Sequence, residues 1–404
     1  MLLRLGRPVR TRSSSMSASK LRIVIAGAGP GGLTAARALR GQGFQPILLD
    51  KRPADALFAD VGGAYDIGRE VLSILRALGV EDRARASGMR WKTLETYDGQ
   101  GVSIRSMDMS GLEVVSLPRP ALQQTLGEGL IDEVRAGTEV VGVAQGERVT
   151  VALSDGETLE CDLLIGADGV HSAVRRAIFE DGPPRFCQAM AAWGTLPVTD
   201  PSVGAFPADS GHLLLGPRGS GVGGGMPDRY VWSVLWPAAA YEASGEPGAR
   251  NAQVRGVVAE SLPALLPIVE ATDPARVAVV GIWDRDPTPR WSRGRVVLVG
   301  DAAHPTSPVL GQGAQSAITD SFTLARLLGR HEPEQAIRQY EGRRAPVVND
   351  NLRSARRLNR LWFSPNPALQ WANRLILRWA PQRWMQGGFE SANRANEVGD
   401  LLGV

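Results

Sequence analysis

The chain has 404 residues, 43% of them hydrophobic and 22% charged, with a formal net charge of +3. That length supports two cores sharing an interface, and that charge is too small to select a nucleic acid as partner. Cys161 and Cys187, the only cysteines, form no CxxC and no metal-ligand spacing with the four histidines, which excludes a disulfide scaffold and a zinc site and fits a reducing cytoplasm; an apolar run of about 18 residues, as a membrane span needs, is absent.

Residues 1–20 hold Arg and Ser without an acid or an apolar core. They read as a disordered tail or an over-long start, with Met16 as the alternative start, in preference to an organellar transit segment. Leu21–Ala26 is a short apolar run rich in β-branched residues that ends in a glycine cluster, the pattern of a buried parallel strand. A helix and a second strand, Pro46–Asp50, complete one βαβ unit. Val71, Ile74, Leu75 and Leu78, and later Leu122, Leu126 and Leu130, recur at helical spacing. The pattern returns to β over about residues 139–165, with Val149–Leu153, a Ser154-Asp155-Gly156 turn and a run ending Leu163-Leu164-Ile165. From 183 to 290, strands such as Tyr230–Trp236 alternate with Gly-rich turns, which predicts a separate sheet inserted into the first unit; Gly219–Gly225 reads as a loop within it. Val296–Val299 is a further apolar strand, and Ile318, Phe322 and Leu328 mark the helix after it. The predicted organisation is a tail over 1–20, a nucleotide-binding domain in two parts, 21–182 and 291–350, a sheet domain over 183–290, and C-terminal helices over 351–404.

Gly27-Ala28-Gly29-Pro30-Gly31-Gly32 matches GxGxxG at the junction of the first strand and its helix. Gly27 permits a tight turn, Gly29 a close backbone approach to a pyrophosphate, and Gly32 close packing of helix on strand; the helix start adds unpaired N–H groups and positive potential. Asp50, followed by Lys51 and Arg52, ends the second strand about twenty residues on, where an acid accepts hydrogen bonds from a ribose diol and repels a 2′-phosphate. This unit alone does not separate FAD from NAD. Two later segments do. Asp162–Arg175 ends a strand in Gly166-Ala167-Asp168-Gly169 and enters a helix with Ser172 near its cap. Gly300–Pro305 follows the Val296–Val299 strand, and in Pro308–Ala314 the glycines Gly311 and Gly313 would bare backbone amides at a helix start, suited to an anionic ring edge.

Together these residues resemble the para-hydroxybenzoate hydroxylase-like class of single-component flavoprotein monooxygenases, over about residues 21 to 350 and with three separated motifs in order. The resemblance implies an α/β fold: a Rossmann-like FAD-binding domain with an inserted, mostly β substrate domain and a C-terminal helical segment. It implies an FAD contacted by Gly27, Gly29, Pro30, Gly31, Gly32, Asp50, Lys51 and Arg52, by Arg119 of an Arg-x-x-Leu pattern, and by Gly300, with Asp168 in the motif associated with both FAD and NAD(P)H. Pro308 would contact the cofactor as well, Asp301 would bind the ribityl chain, and Gly311, Gln312, Gly313 and Ala314 would lie against the isoalloxazine. The implied activity uses NADH or NADPH, bound transiently because no second strand–GxGxxG–helix unit occurs. O2 then adds at flavin C4a, and one oxygen atom passes to a small aromatic or polyketide-like substrate. Gly62-Gly63-Ala64-Tyr65-Asp66-Ile67 is locally most similar to the tetracycline-inactivating branch.

Two positions depart from the family pattern: Asp50 stands where many relatives carry Glu, and Gln315 where Asn is common, so no ring contact is assigned to Gln315. No catalytic base and no metal ligand is assigned. An FAD-dependent oxidase or reductase without oxygen insertion stays open as the alternative. A halogenase is disfavoured because W-x-W-x-I-P is absent, and an NAD-dependent dehydrogenase because it leaves Gly300-Asp301 unexplained. A non-enzymatic flavoprotein is the remaining reading.

The other candidates read as structural. His304 is a residue of the motif turn, not an acid–base group; Cys161 and Cys187 are core thiols; Trp193, Trp232, Trp236 and Trp283 are sheet core sooner than an aromatic pocket; Arg218 and Arg285 are solvated or paired. Residues 353 to 394 hold eight Arg against one acid, Glu390, together with Trp362, Trp371, Trp379 and Trp384. Leu369, Ala372, Ile376 and Trp379 share one helical face. A helix docked over the FAD domain and shielding the pocket is preferred to contact with a membrane surface.

Overall fold

The computed structural model describes residues 21–403 except 60, 242–245, 363 and 365. The tail predicted for residues 1–20, Met16 included, lies outside the described residues. The nucleotide-side sheet has six strands in the order Ser292–Arg293, Val296–Leu298, Leu163–Gly166, Ile23–Ala26, Ile47–Asp50 and Val134–Ala136. All neighbours run parallel except the outermost pair, Ser292–Arg293 on Val296–Leu298. Ile23 faces Leu163 and Ala26 faces Gly166, so the two glycine-tipped strands end level with each other. Every residue of Ile23–Ala26, Leu163–Gly166 and Val296–Leu298 is buried, which is why these runs are apolar without alternation. The helix Pro30–Gly41 packs along Gly313–Leu328 through small residues: a Cβ on Gly31 would stand 3.5 Å from that of Ala317. The predicted Leu122 helix spans Arg119–Gly127 and stops before Leu130.

The second sheet has seven strands in the order Ala278–Asp284, Arg185–Pro197, Arg229–Pro237, Gly219–Gly225, Ser210–Gly216, Thr93–Asp98 and Ser103–Asp108. It thus reaches beyond the 183–290 segment, taking its last two strands from the first part of the chain. Side chains alternate between its faces. The outer face, with Tyr230, Trp232, Val234 and Trp236, is buried against Val254, Val258, Leu262 and Ile268.

Gly219–Gly225, expected as a loop, is a central strand. Two of its glycines are required by aromatic side chains and one by backbone: a Cβ on Gly223 would stand 2.5 Å from the Tyr230 hydroxyl, one on Gly224 2.3 Å from the Trp91 ring, and one on Gly225 2.3 Å from the Ala208 oxygen. Composition alone reads such a run as turn, because the rings that fill the missing side-chain volume come from Tyr230 and Trp91.

Three helices follow, Pro333–Trp362, Pro367–Trp379 and Gln382–Arg394. Arg105 of the edge strand donates to the Leu377 carbonyl at 3.2 Å and to that of Ala380, and Gln386 donates to the Asp108 carbonyl at 2.9 Å. The Pro367–Trp379 helix is therefore held to the sheet edge by its carbonyl end. This corrects the expected docking of its apolar stripe: Leu369 and Ala372 are half-buried, but Ile376 and Trp379 face solvent. Among the described residues no helix is long and apolar enough to cross a membrane.

Candidate cofactor and substrate site

The first glycine turn is set by close approaches. Gly27 has φ 102°, and a Cβ there would stand 2.3 Å from the Ala167 carbonyl oxygen; one on Gly32 would stand 1.7 Å from the oxygen of Gly27. Gly29 differs, since nothing lies within 4 Å of where its Cβ would be. The helix that begins at Pro30 has neither a side-chain cap nor an acid in its first turn, so no side chain of the turn offsets the positive potential of its first N–H groups.

Asp50 is only 5% exposed. One oxygen accepts from the Ala28 amide at 2.7 Å and from Arg52 Nη2 at 2.8 Å; the other accepts from the Arg52 amide at 2.8 Å and Nε at 2.9 Å. Burial pushes its carboxyl upward, but the Arg52 and Ala28 hydrogen bonds outweigh it and hold the group below the usual range. Both oxygens being occupied, a ribose hydroxyl reaches Asp50 only if Arg52 moves. Lys51 points outward, with Glu139 at 3.9 Å.

Asp168 also works inside the protein. It accepts from Ser172 Oγ at 2.5 Å and from the Ala173 and Val174 amides at 2.7 and 3.1 Å, capping the helix Ala173–Ile178. From that helix Arg175, buried, donates to the carbonyls of Ala302 and Ala303 at 3.1 and 2.8 Å. The middle motif is thereby tied to the third.

Asp320, which sequence reasoning missed, organises that third loop. Its carboxylate accepts from the Gly300 amide at 3.1 Å and Arg344 Nε at 2.7 Å, and lies 2.5 Å from His304 Nε2. Burial raises its pKa, yet His304 and Arg344 prevail and hold it low. His304 packs on Trp291 with ring centroids 4.7 Å apart, a structural role as expected. Gly300 has φ 57°, and a Cβ there would meet that of Ala317 at 2.7 Å.

Asp301, next in the chain, is exposed to solvent but closely surrounded by protein: it stands on the floor of an open cleft. Burial pushes its carboxyl above the usual range, with His304 opposing and Asp320 adding. Burial raises the Tyr65 phenol, opposed by the charge of Arg119 and reinforced by that of Asp301. Arg119 is placed by its amide, which donates to the Gly63 carbonyl at 2.9 Å. Beside Asp301 begins the uncapped helix Gly313–Leu328, preceded by Gly311 at φ 64° with nothing within 4 Å of a Cβ. Gln312 and Gln315 turn their amides away from this space. Gln312 Oε1 accepts from Asn396 at 2.8 Å, while Gln315 takes the Gly68 amide at 3.0 Å and donates to Asn393 at 3.2 Å. Asn393 and Asn396, from the last helix and the turn after it, had no recognisable signal in the sequence.

The inner face of the seven-stranded sheet closes the far side. Trp193, Ser233, Val222 and Leu213 form one cross-strand row, all half-buried. Ala189, Ala191, Leu235 and Ile282 cluster beside them with Val309 of the Pro308–Leu310 turn. A Cβ on Gly63 would stand 2.3 Å from the Trp193 ring. Trp193 is therefore a wall of the cleft, a correction to its reading as core; Trp232 and Trp236 are outer-face core, and Trp283 packs with Phe186 and Tyr241. Arg218 and Arg285 pair with Glu260 and Asp181, each at 3.1 Å. Burial pushes the thiols of the free cysteines Cys161 and Cys187 up to about 11 and about 12, away from the thiolate form at neutral pH.

The sequence matches a family model described as an FAD binding domain over residues 20–355. It is 31% identical to a 3-amino-4-hydroxybenzoate 2-monooxygenase of Streptomyces cremeus, over 86% of this chain and 89% of that protein. The fold is that of Klebsiella pneumoniae HpxO, crystallised with FAD and uric acid: TM-score 0.84, 24% identity, 94% of this chain and 98% of that one. The tetracycline destructase Tet(55) shares the fold at TM-score 0.73 and 21% identity, covering 94% and 98% of the two chains. The chain thus belongs to the FAD binding domain family of para-hydroxybenzoate hydroxylase-like flavoprotein monooxygenases.

Proposed function

We propose that this protein is an FAD-dependent monooxygenase that uses NADH or NADPH and O2 to hydroxylate or epoxidise a small aromatic or polyketide-like substrate. The observation that supports this reading is the approach of the first and third motifs: a Cβ on Gly31 of the Pro30 helix would stand 3.5 Å from that of Ala317 in the Gly313 helix, one on Gly300 2.7 Å from the same atom, and one on Gly313 4.0 Å from Asp301. These residues fit FAD. The Gly29 opening and the Pro30 helix start would take the pyrophosphate, Asp301 the ribityl hydroxyls, and the Gly311–Ala314 amides the electron-rich edge of the ring. When bound, FAD supplies the redox chemistry and the activation of O2. The protein's own share is to orient the substrate and keep water out. The half-buried row of Trp193, Val222 and Leu213 would hold an aromatic body by apolar contact, with Ser233 the one hydroxyl on it. Asp50 serves by fixing Ala28 and Arg52 at the adenosine end. The two free thiols suit a cytoplasmic setting.

The test is turnover of the purified yellow protein with NADH and NADPH against phenols, aminohydroxybenzoates, purines and polyketides, using isotopically labelled O2. Label in the product supports the reading. Oxidised product without label assigns an oxidase or reductase instead, and protein that refuses FAD refutes both.

A further inference from the structure

The exposed tryptophans among the described residues all lie on the last two helices: Trp371 at 65%, Trp379 at 76% and Trp384 at 69%, with Ile376 at 61% between them. Three tryptophans in open solvent on 26 residues of helix, Pro367–Trp379 and Gln382–Arg394 together, need a cover that the other described residues do not provide. The charge around them is mostly basic, Glu390 being the one acid of residues 353–394. Arg378 lies over the Trp379 ring at 6.0 Å, and Arg383 is exposed on the next helix. Arg357 and Arg360 are exposed on the last turns of Pro333–Trp362, which packs against Pro367–Trp379. Arg357, Arg360 and Arg383 have no ion-pair partner among the described residues, whereas Arg353 and Arg356 pair with Asp350 and Asp284.

We propose that these two helices dock the protein on an anionic lipid bilayer surface. Indole rings have an apolar body and an N–H donor, which suits the headgroup layer, and unpaired guanidinium groups complement lipid phosphates. A second copy fits poorly, because a two-fold contact through this face would set arginines against arginines. A face that rests in the headgroups also explains why Ile376 and Trp379 stay exposed although Arg105 anchors the carbonyl end of their helix to the sheet edge.

The test uses FAD-loaded full-length protein with vesicles of phosphatidylcholine alone or mixed with phosphatidylglycerol, read by co-sedimentation and by tryptophan quenching from brominated lipid. Binding to the phosphatidylglycerol vesicles, weakened by added salt and accompanied by quenching, is the expected result. Two variants, Trp371→Ser/Trp379→Ser/Trp384→Ser and Arg357→Gln/Arg360→Gln/Arg383→Gln, should keep the visible flavin spectrum. Each should bind the anionic vesicles roughly tenfold more weakly or worse. The proposal is overturned by failure to bind either vesicle, by equal binding to both, or by unchanged binding of the tryptophan variant. A protein dimer abolished by that variant would overturn it too.

Discussion

In the six-stranded sheet, whole strands such as Ile23–Ala26 and Leu163–Gly166 are buried, whereas the seven-stranded sheet buries its outer face and leaves an inner row of Trp193, Ser233, Val222 and Leu213 half-open. The first carries its motifs at the strand tips, where backbone atoms meet one another at distances only glycine allows. The second presents side chains. On the proposed reading the contrast separates two tasks: a cofactor cradle built from backbone, which tolerates almost no change, and a substrate wall built from side chains, which can vary without disturbing the cradle.

The severest way to break the cradle is Gly32→Ala. Its methyl would fall 1.7 Å from the Gly27 oxygen, backbone against which nothing yields, so soluble flavoprotein is expected to be lost; recovery of yellow protein at normal yield would contradict the packing. Next come two stability effects of similar size, one in the seven-stranded sheet and one in the Gly313–Leu328 helix beside the six-stranded sheet. Trp232→Ala removes a buried ring that also donates to Thr272 Oγ1 at 2.9 Å, and should cost about 3–5 kcal/mol in denaturant unfolding. Asp320→Asn strands Arg344 and His304 in the core, with a loss of about 3–5 kcal/mol.

Asp320 also gives a pH signature. Its folded pKa is depressed, so its contribution is full above the ordinary carboxylate range and disappears as pH falls through the lower folded value. Acid unfolding of the wild type should therefore be steeper than that of Asp320→Asn. Asp301 has the opposite sign. A raised carboxyl favours folding in its protonated form, an advantage lost as pH rises, so Asp301→Asn should leave the FAD-free protein no less stable at neutral pH while weakening FAD retention. The smallest effects sharpen the comparison. Gly29→Ala should fold with an unchanged Tm but bind FAD roughly tenfold more weakly, since its added methyl meets no protein atom and only the pyrophosphate space. Trp193→Ala should keep its FAD and raise KM for substrate by roughly tenfold; a colourless Trp193→Ala protein would show that the two tasks are not separate.

What was legible in the sequence follows the same division. The cradle's strands and glycine turns are local patterns, so Gly27–Gly32, the strand before Asp168 and the loop at Gly300 stood out. Their supports did not: Asp320, Arg175, Asn393 and Asn396 act across long stretches of chain, and nothing in their own neighbourhoods marks a buried carboxylate or a turned amide. Asp50 was recognised by position, but its occupation by Arg52 depends on a side-chain geometry the motif does not encode. Among the tryptophans, residue type could not tell Trp193 from Trp232, because only the strand register sends one to the cleft and the other to the core.

The most direct test of the convergence of the three motifs is a crystal structure of the FAD-loaded protein. One continuous dinucleotide running from the Gly27–Gly32 turn past Asp301 to the Gly311–Ala314 amides, its ring edge facing Trp193, is the expected result. Electron density for FAD that leaves Asp301 and the Gly313 helix start untouched would contradict it.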